Sequence, residues 1–205
     1  IEDAGISFVD AAAVSMGAFV DYDMAKHAAK ALAGGGCRCL VLGASGALGS
    51  VMLQLLRKRE GCHVTAVCSG ANAETCTRMG ADEVVDYTAR PFGEQLAAAE
   101  KFAVVFDFVG GRDTEHGAAP LLAPGGLYIT AVGARMYMGD RVLTTGEFFG
   151  EVCSHLGRSL CGCGGKYKYV HSQAYPPLTA KIWKAAVLET GARAAIAEEV
   201  PFAEA

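Results

Sequence analysis

The sequence predicts an α/β domain of Rossmann type, a doubly wound parallel sheet with helices on both faces. Short apolar segments alternate with segments of helical period throughout residues 37–133, which is typical of strand–helix units. A glycine-rich stretch, GASGALG at 43–49, joins the first of these strands to the first of these helices. That strand, at 37–42, is apolar, as in strands that a parallel sheet buries on both faces.

The predicted elements follow one another without a linker or an internal repeat, so we expect one domain over 1–205. A leading helical segment spans 1–35: apolar residues recur at helical spacing over 8–33, and glycines 34–36 end it. In the core at 37–133, strands are predicted at 37–42, 63–68, 83–86, 102–108 and 127–132, and helices at 47–59, 73–79, 91–101 and 114–122. The closing part at 134–205 is predicted to contain a helix at 145–160, a strand at 167–171 and a helix at 177–190.

Composition argues against several function classes. The 205 residues carry a net charge of −4 without a basic stripe, so no nucleic-acid partner is expected. No apolar run reaches the roughly 18 residues of a membrane helix. Most of the eight cysteines lie in or beside apolar segments, which predicts buried thiols and a reducing, intracellular compartment. Cys161 and Cys163 form the only exposed-looking pair, and without a second pair no metal site is expected.

The glycine loop has the spacing G-x-x-G-x-x-G. Gly43 would permit the sharp turn, Gly46 would let a pyrophosphate approach the backbone, and Gly49 would let the helix pack on the strand. The free amides and the dipole of the helix N-terminus then favour an anion. The predicted pyrophosphate-binding residues are Gly43, Ala44, Ser45, Gly46, Ala47, Leu48 and Gly49. The alternative is a tight structural turn without a ligand.

The end of the second strand favours NADP(H) over NAD(H). An NAD-preferring site places Asp or Glu about 20 residues after the glycine loop to bind the ribose 2′-hydroxyl. Ser69 stands there instead, so no carboxylate at that position repels a 2′-phosphate. Asn72 can donate hydrogen bonds and Arg78 lies one helix away, although both residues could equally be solvated surface residues.

Five motifs occur together in this order: VLGASGALGSVMLQLLR, HVTAVCS, MGADEVVDY, FDFVGG and GGLYITAVG. On these motifs the chain resembles the medium-chain dehydrogenase/reductase superfamily. The resemblance is strongest to its zinc-free quinone oxidoreductase branch and, within that branch, to the reticulon-interacting mitochondrial oxidoreductases. The resemblance implies an NADPH-dependent quinone or enone reductase, of which this chain is the cofactor-binding domain, with a mitochondrial or plastid location.

The resemblance also implies roles for individual residues. Ser69 would lie by the 2′-phosphate and Tyr87 near the adenosine. Val109 and Gly110, with Val132 and Gly133, would border the ribose and nicotinamide, although such pairs are also ordinary turns at strand ends. A homodimer would form through the segment at 128–142.

The chain departs from the family in several places. The N-terminal catalytic domain of the family is absent, and the usual G-L-T-A reads GAFV at 17–20, with Asp21 and Asp23 beside it. No proton donor can be named, because His171 and Tyr137 are lone residues of types that are more often structural. A second hypothesis is therefore a non-catalytic accessory subunit of a larger respiratory or photosynthetic complex, which keeps the fold and a bound NADP(H). A hydrolase is rejected, because Ser45 lacks the G-x-S-x-G spacing and suitably placed partners.

Overall fold

The computed structural model describes residues 7–33, 35–133, 144–161, 167–171, 191 and 193. The strands of the described residues are β1 (Arg38–Leu42), β2 (His63–Cys68), β3 (Glu83–Asp86), β4 (Phe102–Asp107), β5 (Leu122–Thr130) and β6 (Lys168–His171). They form one sheet in the order β3-β2-β1-β4-β5-β6, and every pairing in it is parallel. This is the Rossmann strand order, so the predicted fold is confirmed.

Six α-helices connect and cover the sheet among these residues. They are α1 (Phe8–Leu32), α2 (Ala47–Arg57), α3 (Ala73–Met79), α4 (Phe92–Gln95), α5 (Arg112–Ala118) and α6 (Thr145–Cys161). Ser7 begins α1, because its hydroxyl accepts a hydrogen bond from the Asp10 amide at 3.0 Å. No helix of the described residues is long and apolar enough to cross a membrane.

Two apolar clusters lie on opposite faces of the sheet, because in a doubly wound fold helices pack on both faces. On one face, α1 and α2 bury Met24, Ala28, Met52 and Leu56 against Val41 and Phe106 of the central strands. The other face buries Leu40, Leu42, Val105 and Tyr128 together with Leu121 and Tyr169. Adjacent residues of one strand, such as Leu40 and Val41, therefore serve different clusters.

The helix predicted at 91–101 is much shorter than expected. α4 ends at Gln95, and the amide of Ala97 then donates to the carbonyl three residues earlier, in a turn. This path buries Leu96, which is 3% exposed. Burial of one leucine therefore outweighs the helix propensity of the alanines that follow it.

The helix predicted at 114–122 lies closer to the N-terminus than expected. α5 begins at Arg112 and ends at Ala118, and a 3-10 turn follows it. Pro120 has no amide hydrogen with which to continue an α-helix, so the sequence contains the reason for this end.

The fifth strand starts five residues before its predicted start at Leu127. Leu122 pairs with Phe102, and the register shifts before Leu127 pairs with Val104. The irregularity accommodates the Pro-Gly-Gly sequence at 124–126, which we had expected to separate the helix from the strand.

The sheet order argues against the described part of the predicted dimer segment, 128–133, as the pairing edge of the sheet. Tyr128 is 1% exposed and lies in β5, which is hydrogen-bonded on both sides, to β4 and to β6. Among the described residues the edge strands are β3 and β6 instead. Positions 134–143, including Tyr137, and the predicted helix at 177–190 lie outside the described residues.

Candidate functional site

The carboxyl ends of the parallel strands meet at one edge of the sheet. Leu42 is in register with Val67 on one side and with Asp107 on the other, and Asp107 is in register with Thr130. The loops that follow β1, β2, β4 and β5 therefore leave the sheet side by side. In open α/β sheets, ligands bind in the crevice outside this edge.

Two glycines of the loop after β1 are required by the fold itself. Gly43 has a φ of 74°, in the left-handed region that favours glycine, and a Cβ there would lie 3.1 Å from Val109 Cγ2. A Cβ on Gly49 would lie 2.6 Å from the Cα of Ala44, which is closer than real atoms pack. Gly43 therefore turns the chain, and Gly49 lets α2 pack directly on the loop, as the spacing predicts.

Gly46 differs from the other two glycines. It is the exposed N-cap residue of α2, with a φ of −72° that any residue adopts. A Cβ at this position would meet one described atom, the carbonyl oxygen of Gly43, at 3.3 Å. Backbone strain therefore does not explain this glycine, and a Cβ would press on that carbonyl oxygen alone among the described atoms. Beyond that contact, the described residues leave open space in front of the helix, which a pyrophosphate needs for close approach.

The first turn of α2 is suited to an anion. The amides of Ala47, Leu48 and Gly49 have no acceptor within the helix, because they precede its first hydrogen-bonded turn. Gly46 offers no side chain to cap them, and the first turn holds no acidic residue. The partial positive charge of this helix end therefore faces the crevice without a protein carboxylate on α2 to neutralise it.

The remaining loop residues hold this arrangement in place. The amide of Ala44 donates to the carbonyl of Val67 at 3.1 Å, so the loop continues the hydrogen bonding of the sheet for one residue. Ala44 is buried, and Ser45 and Leu48 are half-buried. Ala44 therefore shapes the loop from inside, whereas Gly46 and Ala47 present the exposed surface.

The structure brings Ser69, Asn72 and Tyr87 to the ends of β2 and β3. The side-chain amide of Asn72 donates to the Ser69 hydroxyl at 3.0 Å. The backbone amide of Tyr87 donates to the carbonyl of Cys68 at 3.2 Å. Tyr87 is 55% exposed. Ser69 and Asn72 therefore form one polar pair at the crevice, with an exposed aromatic ring on the neighbouring strand end.

Sequence reasoning missed one carboxylate near this pair. The end of β2 itself carries no acidic residue, but β3 brings Asp86 against Gly70. A Cβ on Gly70 would lie 3.2 Å from the carboxyl carbon of Asp86. The Thr88 hydroxyl and amide donate to Asp86 at 2.6 and 2.8 Å, and these bonds lower the pKa of Asp86. The D-x-T spacing, typical of an Asx turn, is the signal that could have revealed it.

Arg78 does not join this group. It lies in the last turn of α3, six residues beyond Asn72, and its carbonyl accepts a hydrogen bond from Arg57 at 3.3 Å. A helix rises about 1.5 Å per residue, so roughly 9 Å of helix separates the two backbones. The role of Arg78 in cofactor binding stays a prediction, and only its long side chain could reach the carboxyl edge from the end of α3.

The turns after β4 and β5 are built alike. Asp107 is fully buried, and its Oδ1 accepts hydrogen bonds from the amides of Val109 and Gly110, both at 2.9 Å. Its Oδ2 accepts the Tyr128 hydroxyl at 2.8 Å. Burial, followed by the nearby Asp107 carboxylate, raises the pKa of Tyr128. Tyr128 therefore stays protonated and orients Asp107, which in turn shapes the turn.

Thr130 repeats this arrangement one strand further along. Its hydroxyl accepts hydrogen bonds from the amides of Val132 and Gly133 at 3.1 and 3.0 Å. The carbonyl of Gly133 accepts the Gly111 amide at 3.0 Å, which joins the two turns. The two predicted Val-Gly pairs thus lie next to each other in strand-end turns at the crevice.

Residues 47–168 match the sequence pattern of the zinc-binding dehydrogenase family. The chain belongs to this family. The match confirms the resemblance to the medium-chain dehydrogenase/reductase superfamily.

The relatives are longer than this chain. The mitochondrial NAD(P)H oxidoreductase RTN4IP1 of Mus musculus is 36% identical over 179 residues, which cover 82% of this chain and 43% of the relative. The trans-enoyl reductase pgmF of Aspergillus terreus is 35% identical over 114 residues, covering 56% of this chain and 31% of that protein. The chain thus spans less than half the length of these curated relatives.

Solved structures show the same fold. A quinone oxidoreductase of Coxiella burnetii superposes with a TM-score of 0.66 at 17% identity, over 91% of this chain and 50% of that one.

The residues of this dehydrogenase domain fit a nicotinamide dinucleotide. The glycine loop offers a space that a side chain at Gly46 would occupy, and the N-terminus of α2 offers amides for a pyrophosphate. Ser69 and Asn72 offer a hydroxyl and an amide at the adjoining strand end.

A buried network behind the crevice was also not predicted. Glu115 of α5 is 3% exposed and accepts hydrogen bonds from Arg158 and from the Tyr167 hydroxyl, the latter at 2.6 Å. The Arg158 guanidinium lies 5.1 Å from the ring centre of Tyr169. These contacts tie α5 to α6 and β6. They adjoin the crevice through Tyr128, whose ring stacks on that of Tyr169 with the ring centres 5.8 Å apart.

Two further sequence observations have structural outcomes. His171 ends β6 in register with Thr130, and this backbone position places it at the carboxyl edge. Asp21 of α1 is fully buried, and neither carboxyl oxygen has a hydrogen-bond partner among the described residues. Burial raises the pKa of Asp21 well above its ordinary value, so this residue is a neutral acid in a helix interface.

Proposed function

We propose that this chain is the single cofactor-binding domain of an NADPH-dependent oxidoreductase of the quinone or enone reductase type. The observation that carries the proposal is Gly46. Its φ does not require glycine, and a side chain there, besides pressing on the Gly43 carbonyl oxygen, would fill the space in front of an uncapped helix N-terminus. A ligand that must approach this backbone explains the glycine, and a pyrophosphate has the charge and size for that position.

In this proposal the chain binds and orients the cofactor. The amides at the start of α2 hold the pyrophosphate, and the turns at 109–110 and 132–133 border the ribose and nicotinamide. Asp107 and Thr130 keep those turns rigid through the amide hydrogen bonds that they accept. When bound, the cofactor supplies a hydride for reduction of the substrate, while the protein contributes position and excludes water.

The preference for NADPH rests on the pair formed by Ser69 and Asn72. Both side chains carry hydrogens that can be donated to a 2′-phosphate, and neither is charged. Asp86 lies close by, but its carboxylate accepts hydrogen bonds from the amide and hydroxyl of Thr88. We therefore expect Asp86 to hold the loop, whereas Ser69 and Asn72 face the ligand.

The substrate class rests on the relatives. The mouse relative is an NAD(P)H oxidoreductase, and the Aspergillus terreus relative is a trans-enoyl reductase. An activated carbon–carbon double bond and a quinone both accept a hydride, so they are the substrates to test. Because the chain spans less than half of these relatives, turnover should be measured with the longest natural protein that contains it.

The binding test is a titration of the purified protein with NADPH and with NADH. Nicotinamide fluorescence gives the dissociation constants, and the melting temperature must rise with a ligand that binds the native state. The proposal predicts micromolar NADPH binding and weaker NADH binding. A folded protein that binds neither nucleotide would contradict it and would favour a non-catalytic accessory subunit.

We also propose a mitochondrial location, supported by the name of the mouse relative. Imaging of the full-length natural protein with organelle markers tests this, and a plastid signal would contradict it. Homodimer formation or assembly into a larger complex can be measured on the same material by light scattering and native electrophoresis.

A further inference from the structure

The opposite edge of the sheet holds three cysteines side by side. Cys37 directly precedes β1, Cys39 lies within it, and Cys62 directly precedes β2. Residues two apart in a strand share a face, and the register of β1 with β2 sets Cys62 beside Cys37. The three Sγ atoms all lie within 4.8 Å of one another, and those of Cys39 and Cys62 are 3.4 Å apart.

The size of this sulfur triangle suits a metal ion better than a disulfide. A metal–thiolate bond of about 2.3 Å places two sulfurs of a trigonal or tetrahedral site roughly 3.8–4.0 Å apart. The observed edges, from 3.4 Å to at most 4.8 Å, bracket that value. The S–S bond of a disulfide is about 2.05 Å long. The sulfurs of Cys39 and Cys62 would therefore have to move roughly 1 Å or more closer together within paired strands.

The donor set selects the class of ion. In the part of the chain that the structure describes, this is the one group of three or more His, Cys, Asp or Glu close enough to share an ion. All three donors are sulfur, and soft thiolates select Cu⁺ and Zn²⁺ over hard ions such as Mg²⁺ and Ca²⁺. Three donors make a trigonal site, or a tetrahedral site with one open position.

The site is held rigidly and remains accessible from one side. The His63 amide donates to the Cys37 carbonyl at 2.8 Å, so the strand register fixes two of the three cysteines. Cys37 and Cys39 are buried, and half-buried Cys62 is the side open to an incoming ion.

We propose that Cys37, Cys39 and Cys62 together bind one thiophilic d¹⁰ metal ion, Zn²⁺ or Cu⁺, through three thiolates. The ion ties β1 to β2 and stabilises the domain. It takes no part in hydride transfer, because the five residues of β1, roughly 16 Å of strand, separate it from the glycine loop.

The experiment uses the protein with Cys153, Cys161 and Cys163 replaced by serine, so that these three other cysteines do not contribute. This protein is reduced, stripped with a chelator and titrated without oxygen, first with Zn²⁺ and separately with Cu⁺. Native mass spectrometry counts bound ions, a competing chelator gives the affinity, and Co²⁺ in place of Zn²⁺ reports thiolate ligation by its charge-transfer absorption. Cys62→Ser removes one ligand, and Cys76→Ser is the control that removes a buried cysteine outside the cluster.

The proposal predicts one ion per chain, thiolate charge-transfer absorption and a higher melting temperature with metal. Cys62→Ser should weaken binding at least about a hundredfold, and Cys76→Ser should leave it unchanged. The ion that binds with the higher affinity is identified as the resident metal. Failure of both ions to bind overturns the proposal, as does equal binding by Cys62→Ser.

Cys62 is half-buried, so this variant is the one most compatible with folding, and circular dichroism verifies its fold. Loss of NADPH binding in Cys62→Ser with an intact fold would overturn the separation of the two sites.

Discussion

The two proposed sites lie at opposite edges of the same sheet and consist of different chemical groups. At the carboxyl edge the important groups belong to the backbone: the amides of α2, and the turns that Asp107 and Thr130 hold by accepting amide hydrogens. At the amino edge they are side chains, the sulfurs of Cys37, Cys39 and Cys62. A site made of backbone is specified by a few glycines and polar caps in the adjoining turns. A site made of side chains depends on which strands lie next to each other.

The largest expected effect is at the carboxyl edge. Gly49→Ala places a Cβ 2.6 Å from the Cα of Ala44, and two backbone segments must move apart. We expect it to reduce the free energy of unfolding by about 3 kcal/mol, measured by urea denaturation. Gly150→Ala is the matched control, because a Cβ there meets nothing within 4 Å on an exposed helix. Equal stability of the two variants would contradict the described packing of the loop.

A substitution at Ser69 sharpens the role assigned to the end of β2. Ser69→Asp puts a carboxylate where we expect the 2′-phosphate, and like charges in contact are strongly unfavourable. NADPH affinity should fall at least about tenfold while NADH affinity falls less, as nucleotide fluorescence would show. Thr77→Asp adds the same charge to exposed α3 and should leave the ratio of affinities unchanged. An unaltered ratio in Ser69→Asp would show that the 2′-phosphate lies elsewhere.

α1 covers the face between the two edges and contains the buried acid Asp21. Because its pKa is raised in the folded state, Asp21 holds a proton that the unfolded chain releases above about pH 3.9. The protein therefore loses stability as pH rises from that value towards the folded pKa. Asp21→Ala should raise the free energy of unfolding by about 1–3 kcal/mol at pH 8 and by less at pH 5.

Asp23→Ala is the control for that experiment. Asp23 is partly exposed and lies 3.4 Å from His27 on the same helix. Its removal should change stability by less than about 1 kcal/mol. If Asp21→Ala lowered stability at pH 8, Asp21 would have an interaction that the structure does not show.

The smallest expected effect is at the surface of the amino edge. Glu83 lies 3.4 Å from Arg38, and its side chain is 44% exposed. Glu83→Gln removes the charge and keeps the shape, so the free energy of unfolding should fall by less than about 1 kcal/mol, and by still less in high salt. A loss of several kcal/mol would mean that surface charge, rather than the cysteine cluster, holds this edge together.

The contrast between the edges also explains what the sequence could predict. The turn at Gly43, the tight packing at Gly49 and the strand order all follow from local glycine spacing and from the alternation of strands and helices. The Cys37-Arg38-Cys39 pattern was equally visible in the sequence. Its third member was not, because Cys62 is 23 residues from Cys39 and joins the group only through the pairing of β1 with β2.

Other misses have the same physical origin. Asp86 lies near the end of β2 although it belongs to the neighbouring strand. Glu115 pairs with Arg158, which lies in another helix, 43 residues further along the chain. Element ends were displaced where burial of Leu96 or the missing amide of Pro120 decided the backbone. Local rules therefore predict elements, and sheet register decides which side chains meet.

The most direct test of the central claim compares NADPH binding by the natural protein and by its Gly46→Val variant. The Gly46 backbone conformation accepts valine, but its Cβ would press on the Gly43 carbonyl oxygen, so we expect a modest fall in melting temperature with the fold retained, as circular dichroism would show. A valine side chain would occupy the space proposed for the pyrophosphate, while Gly150→Val places the same side chain on an exposed helix as the control. We predict micromolar NADPH binding by the natural protein and the control, and loss of at least about tenfold in Gly46→Val. Equal NADPH binding by all three folded proteins, or by none, would contradict the assignment of this loop as the cofactor site.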